Sequence, residues 1–165
     1  MKKRRAPQKF YRYTMLDVLQ ASPTEPMSAE KRRYQLLRMN SGLAAMEKAE
    51  APTTDDWRVC SDAVNLMETF VAMGVCEDAS GLIDDAVKAL ADAGKRYKQG
   101  NALRLDALGM QAVRAVLEDY AAVLDVLPAR TVIAAHRNTE RRIQEILAGK
   151  RKPHDVELAD NVVDL

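Results

Sequence analysis

Aromatic side chains make up only 5% of this 165-residue chain, and histidine and cysteine occur twice each. The aromatic and β-branched runs that build sheets are missing. Ala, Leu, Glu, Lys, Arg and Met, which lose little freedom in a helix, are plentiful. No apolar run approaches the ~18–20 residues needed to span a bilayer. The first ten residues, MKKRRAPQKF, carry the charges of a signal-peptide n-region, but no apolar stretch follows them. The chain is therefore expected in the cytoplasm, with no membrane association. Cys60 and Cys76 lie sixteen residues apart, on or just past one expected helix. A helix of that length separates them by ~24 Å, far beyond the ~5.5–6 Å Cα spacing of a disulfide. They read as two small buried thiols, in keeping with a reducing compartment.

The constellations of catalysis are scarce too. His136 and Glu140 form an i, i+4 pair that can ligate a metal. However, His136 falls on or beside the apolar side of its helix, and Ile133 stands where a di-iron carboxylate bundle needs a glutamate. A packed, hydrogen-bonded histidine is the expected role. His154 has only Asp155 near it in sequence. The adjacent carboxylates Asp55-Asp56, Asp84-Asp85 and Glu118-Asp119 diverge by ~100° on a helix and do not converge on a substrate. Gly94-Lys95 is no phosphate loop, because Ala89 replaces its first glycine and Arg96 its Ser or Thr. Serine and threonine sit mainly at caps and loops, with no base paired to them. These absences predict a non-enzymatic protein with no catalytic residue, no metal site and no cofactor.

What the chain does have is helical periodicity. A hydrophobic content of 47% against 30% charged residues is globular, and 165 residues suffice for one domain with a real core. In Asn101–Leu127, Leu105, Leu108, Met110, Val113, Val116, Leu117, Tyr120, Val123, Leu124 and Leu127 define one broad apolar side. Such a helix would run roughly 35–40 Å, and is expected to be the spine of the domain. Before it, Thr14 and Asp17 have capping-box spacing for a short helix to about Gln20. The prolines of residues 21–27 force a loop. Ser28 then caps a helix to about Ala49, with Leu36, Met39, Leu43 and Met46 inward and Tyr34, Leu37 and Ala44 broadening the stripe.

Thr53 or Thr54 caps a helix ending near Gly74, and Asp78 or Ser80 caps another ending at Gly100-Asn101. In the latter, Leu82 to Tyr97 supply the inward stripe. A last helix covers about Ala129–Ala148. The expected fold is an all-α, up-and-down helical bundle of about five helices plus the short N-terminal one. Its single domain spans 14–149. A flexible basic arm (1–13) precedes it, and a basic hinge with an acidic tail (150–165) follows.

Charge marks the binding candidates. Residues 1–13 contain six cations and no acid, while Asp155, Glu157, Asp160 and Asp164 make the far end acidic. Lys2, Lys3, Arg4 and Arg5, followed by Lys9, Phe10, Tyr11, Arg12 and Tyr13, combine phosphate-neutralising charge with rings that can stack on bases. The same stretch could dock in an acidic groove of a protein. Arg137 and Arg141, four apart, share one side of the last helix and form a second basic cluster. Excess apolar residues, including Val59, Leu66 and Met73, point to an interface that Leu105, Val116 and Val123 would form with a partner or a second copy. The sequence thus favours an adaptor, inhibitor or assembly factor with a protein partner, self-associating as a homodimer. The alternative is a nucleic-acid accessory protein that binds through the arm.

Overall fold

The computed structural model describes residues 13–150, so most of the expected arm and tail lies outside the described residues. Six helices follow in order: α1 (Met15–Gln20), α2 (Ala29–Lys48), α3 (Thr54–Ala72), α4 (Ile83–Lys98), α5 (Ala107–Val126) and α6 (Ala129–Leu147). Among the described residues there is no strand, only a single bridge between Pro26 and Pro128. The molecule is an all-α helical bundle with a short first helix, as the periodicity predicts.

Local chemistry fixes most helix ends. Thr14 and Thr53 each accept the N–H three residues on, and Asp17 and Asp56 reach back to the cap N–H, so both helices open with a complete capping box. Ser28 and Asp106 cap α2 and α5. Gly74, Gly100 and Gly149 have positive φ, and each follows the last residue of its helix cap. The N–H bonds from Val75 to Phe70 O, Asn101 to Arg96 O and Lys150 to Glu145 O complete three Schellman ends. Two boundaries differ from expectation. α4 begins at Ile83, because the Asp78 carboxylate holds the N–H groups of Gly81 and Ile83 and keeps residues 78–82 as a loop. Residues 101–106 are likewise not helical. Arg96 donates to Arg104 O at 2.8 Å, Arg104 donates to Ala49 O at 2.5 Å and Glu50 O at 2.9 Å, and Leu103 is buried, so this segment is pinned as a strap. With 20 residues, α5 is about 30 Å long.

The spine is α3, not α5. α3 packs against α2, α4, α5 and α6. Eleven of its nineteen residues are buried, against seven of twenty in α5. Val59 and Leu66, which seemed to exceed the needs of one bundle, are enclosed because α3 has neighbours on every side. Trp57, fully buried, donates its indole N–H to Leu90 O at 3.0 Å and ties α3 to α4. α2 approaches closely at Gly42, where an added Cβ would lie 3.0 Å from Asp56 O. The α6 side differs in kind. Thr69 and Thr139 hydroxyls meet at 2.7 Å, and Arg142 pairs with Glu68 at 3.1 Å. Buried Ser61 and Thr69 hydrogen-bond back to the carbonyls four residues earlier. A polar seam therefore joins α6 to α3, and between α2 and α5 the buried Gln35 accepts from the Tyr120 hydroxyl at 3.3 Å. The expected inward roles of Tyr34, Leu37, Ala44, Tyr97 and Leu108 are corrected, since all five are exposed. α2 and α4 are flanked by fewer helices than α3 and bury narrower stripes.

Candidate functional site

Of the basic-aromatic residues singled out above, Lys2, Lys3, Arg4, Arg5, Lys9, Phe10, Tyr11 and Arg12 lie outside the described residues. Tyr13, where the arm joins the domain, is described, and the structure brings it to the second basic cluster. Its ring tilts over His136 with centroids 5.2 Å apart, and Arg137 Nη1 donates to Tyr13 O at 3.2 Å. Seven residues earlier on α6, Arg130 donates to Ala21 O at 3.2 Å and Leu19 O at 3.3 Å. α1 therefore runs antiparallel along α6, with Ala21 beside Arg130 and Tyr13 beside Arg137. The loop between α1 and α2 also accepts the first N–H groups of α6, Ala129 to Glu25 O and Arg130 to Ser22 O. Those bonds satisfy donors that the start of α6 cannot pair itself.

Arg130, Arg137 and Arg141 stand seven and four residues apart, which aligns them on one side of α6 within ~40°. Arg130 escaped the sequence reading, although its spacing from Arg137 carried the signal. Arg141 is exposed, donates to Asn138 Oδ1 at 3.3 Å and lies 4.0 Å from Glu145. Burial pushes the His136 imidazole down to about 4, so it is neutral at pH 7. That matches a packed histidine under Tyr13.

α1 itself buries no residue. Met15, Leu16 and Leu19 fall on one side of it and face solvent, at 57%, 59% and 66% exposure. Tyr34 and Leu37, on the N-terminal half of α2, are also exposed, as is Val126 at the end of α5. These elements meet at one end of the bundle: Lys31 acts on the Asp17 carboxylate, and Arg32 pairs with Asp125 at 3.1 Å. Among the described residues, six of the eight exposed large apolar side chains thus lie at this end, whereas scattered single ones would need no explanation.

The expected interface positions on α5 and in the strap before it fare differently. Val116 is fully enclosed in the core, which corrects its assignment to a partner-facing surface; α3 and α4 take up that side of α5. Leu105 and Val123 are partly buried and pack against the same core. The sequence signal was a broad apolar side, and that breadth serves three intramolecular neighbours, α2, α3 and α4.

Elsewhere, an apolar-floored groove of about 320 Å³ separates α2 from α5, lined by Leu36, Met39, Leu43, Leu117 and Ala121, with Arg114 and Glu47 paired at 2.9 Å nearby. It converges no base and nucleophile. Burial pushes the Asp62 carboxyl up to about 7 against the opposing pull of Arg58 and Arg38. Cys60 is buried and Cys76 half-buried, both free thiols, and burial pushes Cys60 up to about 12. A thiol so shifted is a packing group. Among the described residues no three His, Cys, Asp or Glu side chains gather as a metal site, and no helix is long and apolar enough to cross a membrane. The chain matches no protein-family model, and no curated protein or solved structure is similar to it.

Proposed function

We propose that this chain is a non-enzymatic interaction protein, an adaptor, inhibitor or assembly factor, that docks a protein partner through the end of the bundle formed by α1 and the first half of α2. The observation that carries this reading is the orientation of α1. A short helix that served only the fold would turn its apolar side to the bundle. This one is held by carbonyl contacts from Arg130 and Arg137 and turns Met15, Leu16 and Leu19 outward. Burying three such side chains, with Tyr34 and Leu37 beside them, against a partner would stabilise a complex by roughly 1.5–3 kcal/mol per side chain before the costs of association. A second copy of this chain is one such partner, and the expected homodimer would then form through this end rather than through α5.

The test is a paired substitution. Leu16→Glu with Leu19→Glu changes exposed positions and should leave the circular dichroism spectrum and melting temperature unchanged. Self-association in light scattering, or recovery of partners from a nuclease-treated lysate, should be lost. Leu108→Glu, at an exposed apolar position on α5, should lose neither. Partners or oligomers retained equally by both proteins would defeat the proposal.

A further inference from the structure

We propose that the protein docked at this end is a second copy of the chain, seated face to face along the furrow between α2 and α5. The inference rests on the reading of the α1–α2 end as a docking surface, and it names the occupant. α2 and α5 run antiparallel, with Arg32 beside Asp125 at the docking end and Glu47 beside Arg114 at the other. On their outer side the two helices leave a furrow between these pairs. It opens at the docking end as a shallow hollow of about 360 Å³, lined by Arg32, Arg33, Leu36, Leu37 and Asp125. Leu36 and Asn40 also line the groove of about 320 Å³ described above, so the two spaces are continuous.

Charge decides which occupant fits. The α2 wall is cationic at the docking end, through Arg32 and Arg33, and anionic at the far end, through Glu47. The α5 wall reverses that order, with Asp125 at the docking end and Arg114 at the far end. A uniformly acidic or basic partner would meet repulsion on one wall at either end. A second copy, turned about a two-fold axis that runs along the furrow, meets none. Its α2 lies over the first copy's α5 at the same level. Arg33 then faces Asp125 of the other copy, Glu47 faces Arg114, and between them the Asn40 amide can donate to Glu118. The apolar side chains choose that axis. Tyr34, Leu37 and Val126 are exposed at the docking end, and an axis along the furrow sets the two docking ends against each other, so both patches are buried together. An axis across the furrow would also oppose unlike charges, with α2 on α2. It would, however, lay each apolar patch on the Glu47–Arg114 end of the other copy.

The measurement is sedimentation equilibrium of the full chain from about 1 to 100 μM, where a dimer is expected. Arg33→Glu and Asp125→Arg, both at exposed positions, should each weaken the dimer about tenfold or more, because each sets like charges opposite one another twice. An equimolar mixture of the two variants restores both contacts, and should dimerise within about threefold of the parent although neither variant does so alone. The chain carrying both substitutions should do the same. Lys98→Glu, an equal charge change at an exposed position on α4, should stay within about twofold. Circular dichroism verifies folding of each variant. Single variants that dimerise like the parent, or a mixture that fails to recover, overturn the proposal. So does recovery of Arg33→Glu by Glu47→Arg in place of Asp125→Arg, which would put α2 on α2. A strict monomer whose lysate partners still depend on Leu16 and Leu19 overturns the second copy and leaves the docking end standing. Dimers that obey the charge exchange but ignore Leu16→Glu with Leu19→Glu support the second copy and remove α1 from the docking surface.

Discussion

α1 and α3 open with the same device and end up in opposite environments. Thr14 with Asp17 and Thr53 with Asp56 make matching capping boxes, down to cap hydroxyls that accept the third N–H at 3.2 Å in both. Yet α1 buries nothing, and α3 is the most enclosed helix of the domain. Local hydrogen bonding decides where a helix begins, and neighbours decide what it is for. α3 has neighbours on every side and has become the core. α1 lies on a single helix through carbonyl contacts, which leaves its apolar side outward and available for binding.

The largest effect that could break this contrast is a core truncation. Phe70 is fully buried in α3, with its ring stacked 6.1 Å from that of Tyr120 on α5. Phe70→Ala should lower unfolding free energy in urea by about 3–5 kcal/mol. Leu16→Ala and Leu19→Ala on α1 should each stay within about 0.5 kcal/mol. Comparable losses at the two helices would mean that α1 is as much a part of the core as α3.

The next effect concerns the joint beneath α1. Folded His136 titrates near 4, below its ordinary value of 6.5. Between those values the unfolded chain takes up a proton that the folded chain refuses, so this group makes stability fall as pH drops from 6.5 to 4. The full effect is at most about 3 kcal/mol. Asp62 acts the other way. Its folded value is raised to about 7, so its contribution is lost as pH rises from about 4 to 7, and the two partly cancel in the native chain. His136→Gln isolates one of them. Relative to the parent, the variant should gain stability progressively as pH falls through that window, read from urea midpoints. Parallel curves would show that His136 already titrates as in water, and hence that Tyr13 and α1 seal the site only loosely.

What the sequence made legible was whatever a few adjacent residues decide. Thr14, Ser28, Thr53, Pro52, Pro128 and the glycines at 74, 100 and 149 act through their own backbone, and the helix ends near them match expectation. α3 was not recognisable as the centre. Ser61, Asn65 and Thr69 put polar groups at four-residue spacing on a buried side, which hides the all-round burial that would have identified it. The strap at 101–106 depends on Arg104 reaching Ala49 O and Glu50 O, contacts more than fifty residues away in sequence. The candidate site was half legible. Arg137 and Arg141 stood out as a pair, but their union with the arm required Tyr13 to meet His136 across the length of the domain. No local pattern encodes that.

The smallest effect separates local from global most cleanly, because it applies one substitution to both helices. Thr→Ala at a helix N-cap removes the acceptor for an orphan N–H and typically costs about 1 kcal/mol. At Thr53 the loss falls on the helix that every other large helix touches. Thr53→Ala should therefore lower global stability by about that amount and move the whole urea transition. At Thr14 the cap serves a helix with no buried residue, so its unfolding releases little apolar surface. Thr14→Ala should leave the global transition within about 0.3 kcal/mol and should instead speed amide hydrogen exchange in residues 15–21 alone. The Asp17 carboxyl, held below its usual value chiefly by the Thr14 side chain, should return toward that of an exposed aspartate in the same variant. If the two substitutions shift the global transition equally, α1 folds as one unit with the core, and the outward turn of its leucines is then set by the whole bundle rather than by the three arginine-to-carbonyl contacts that hold it.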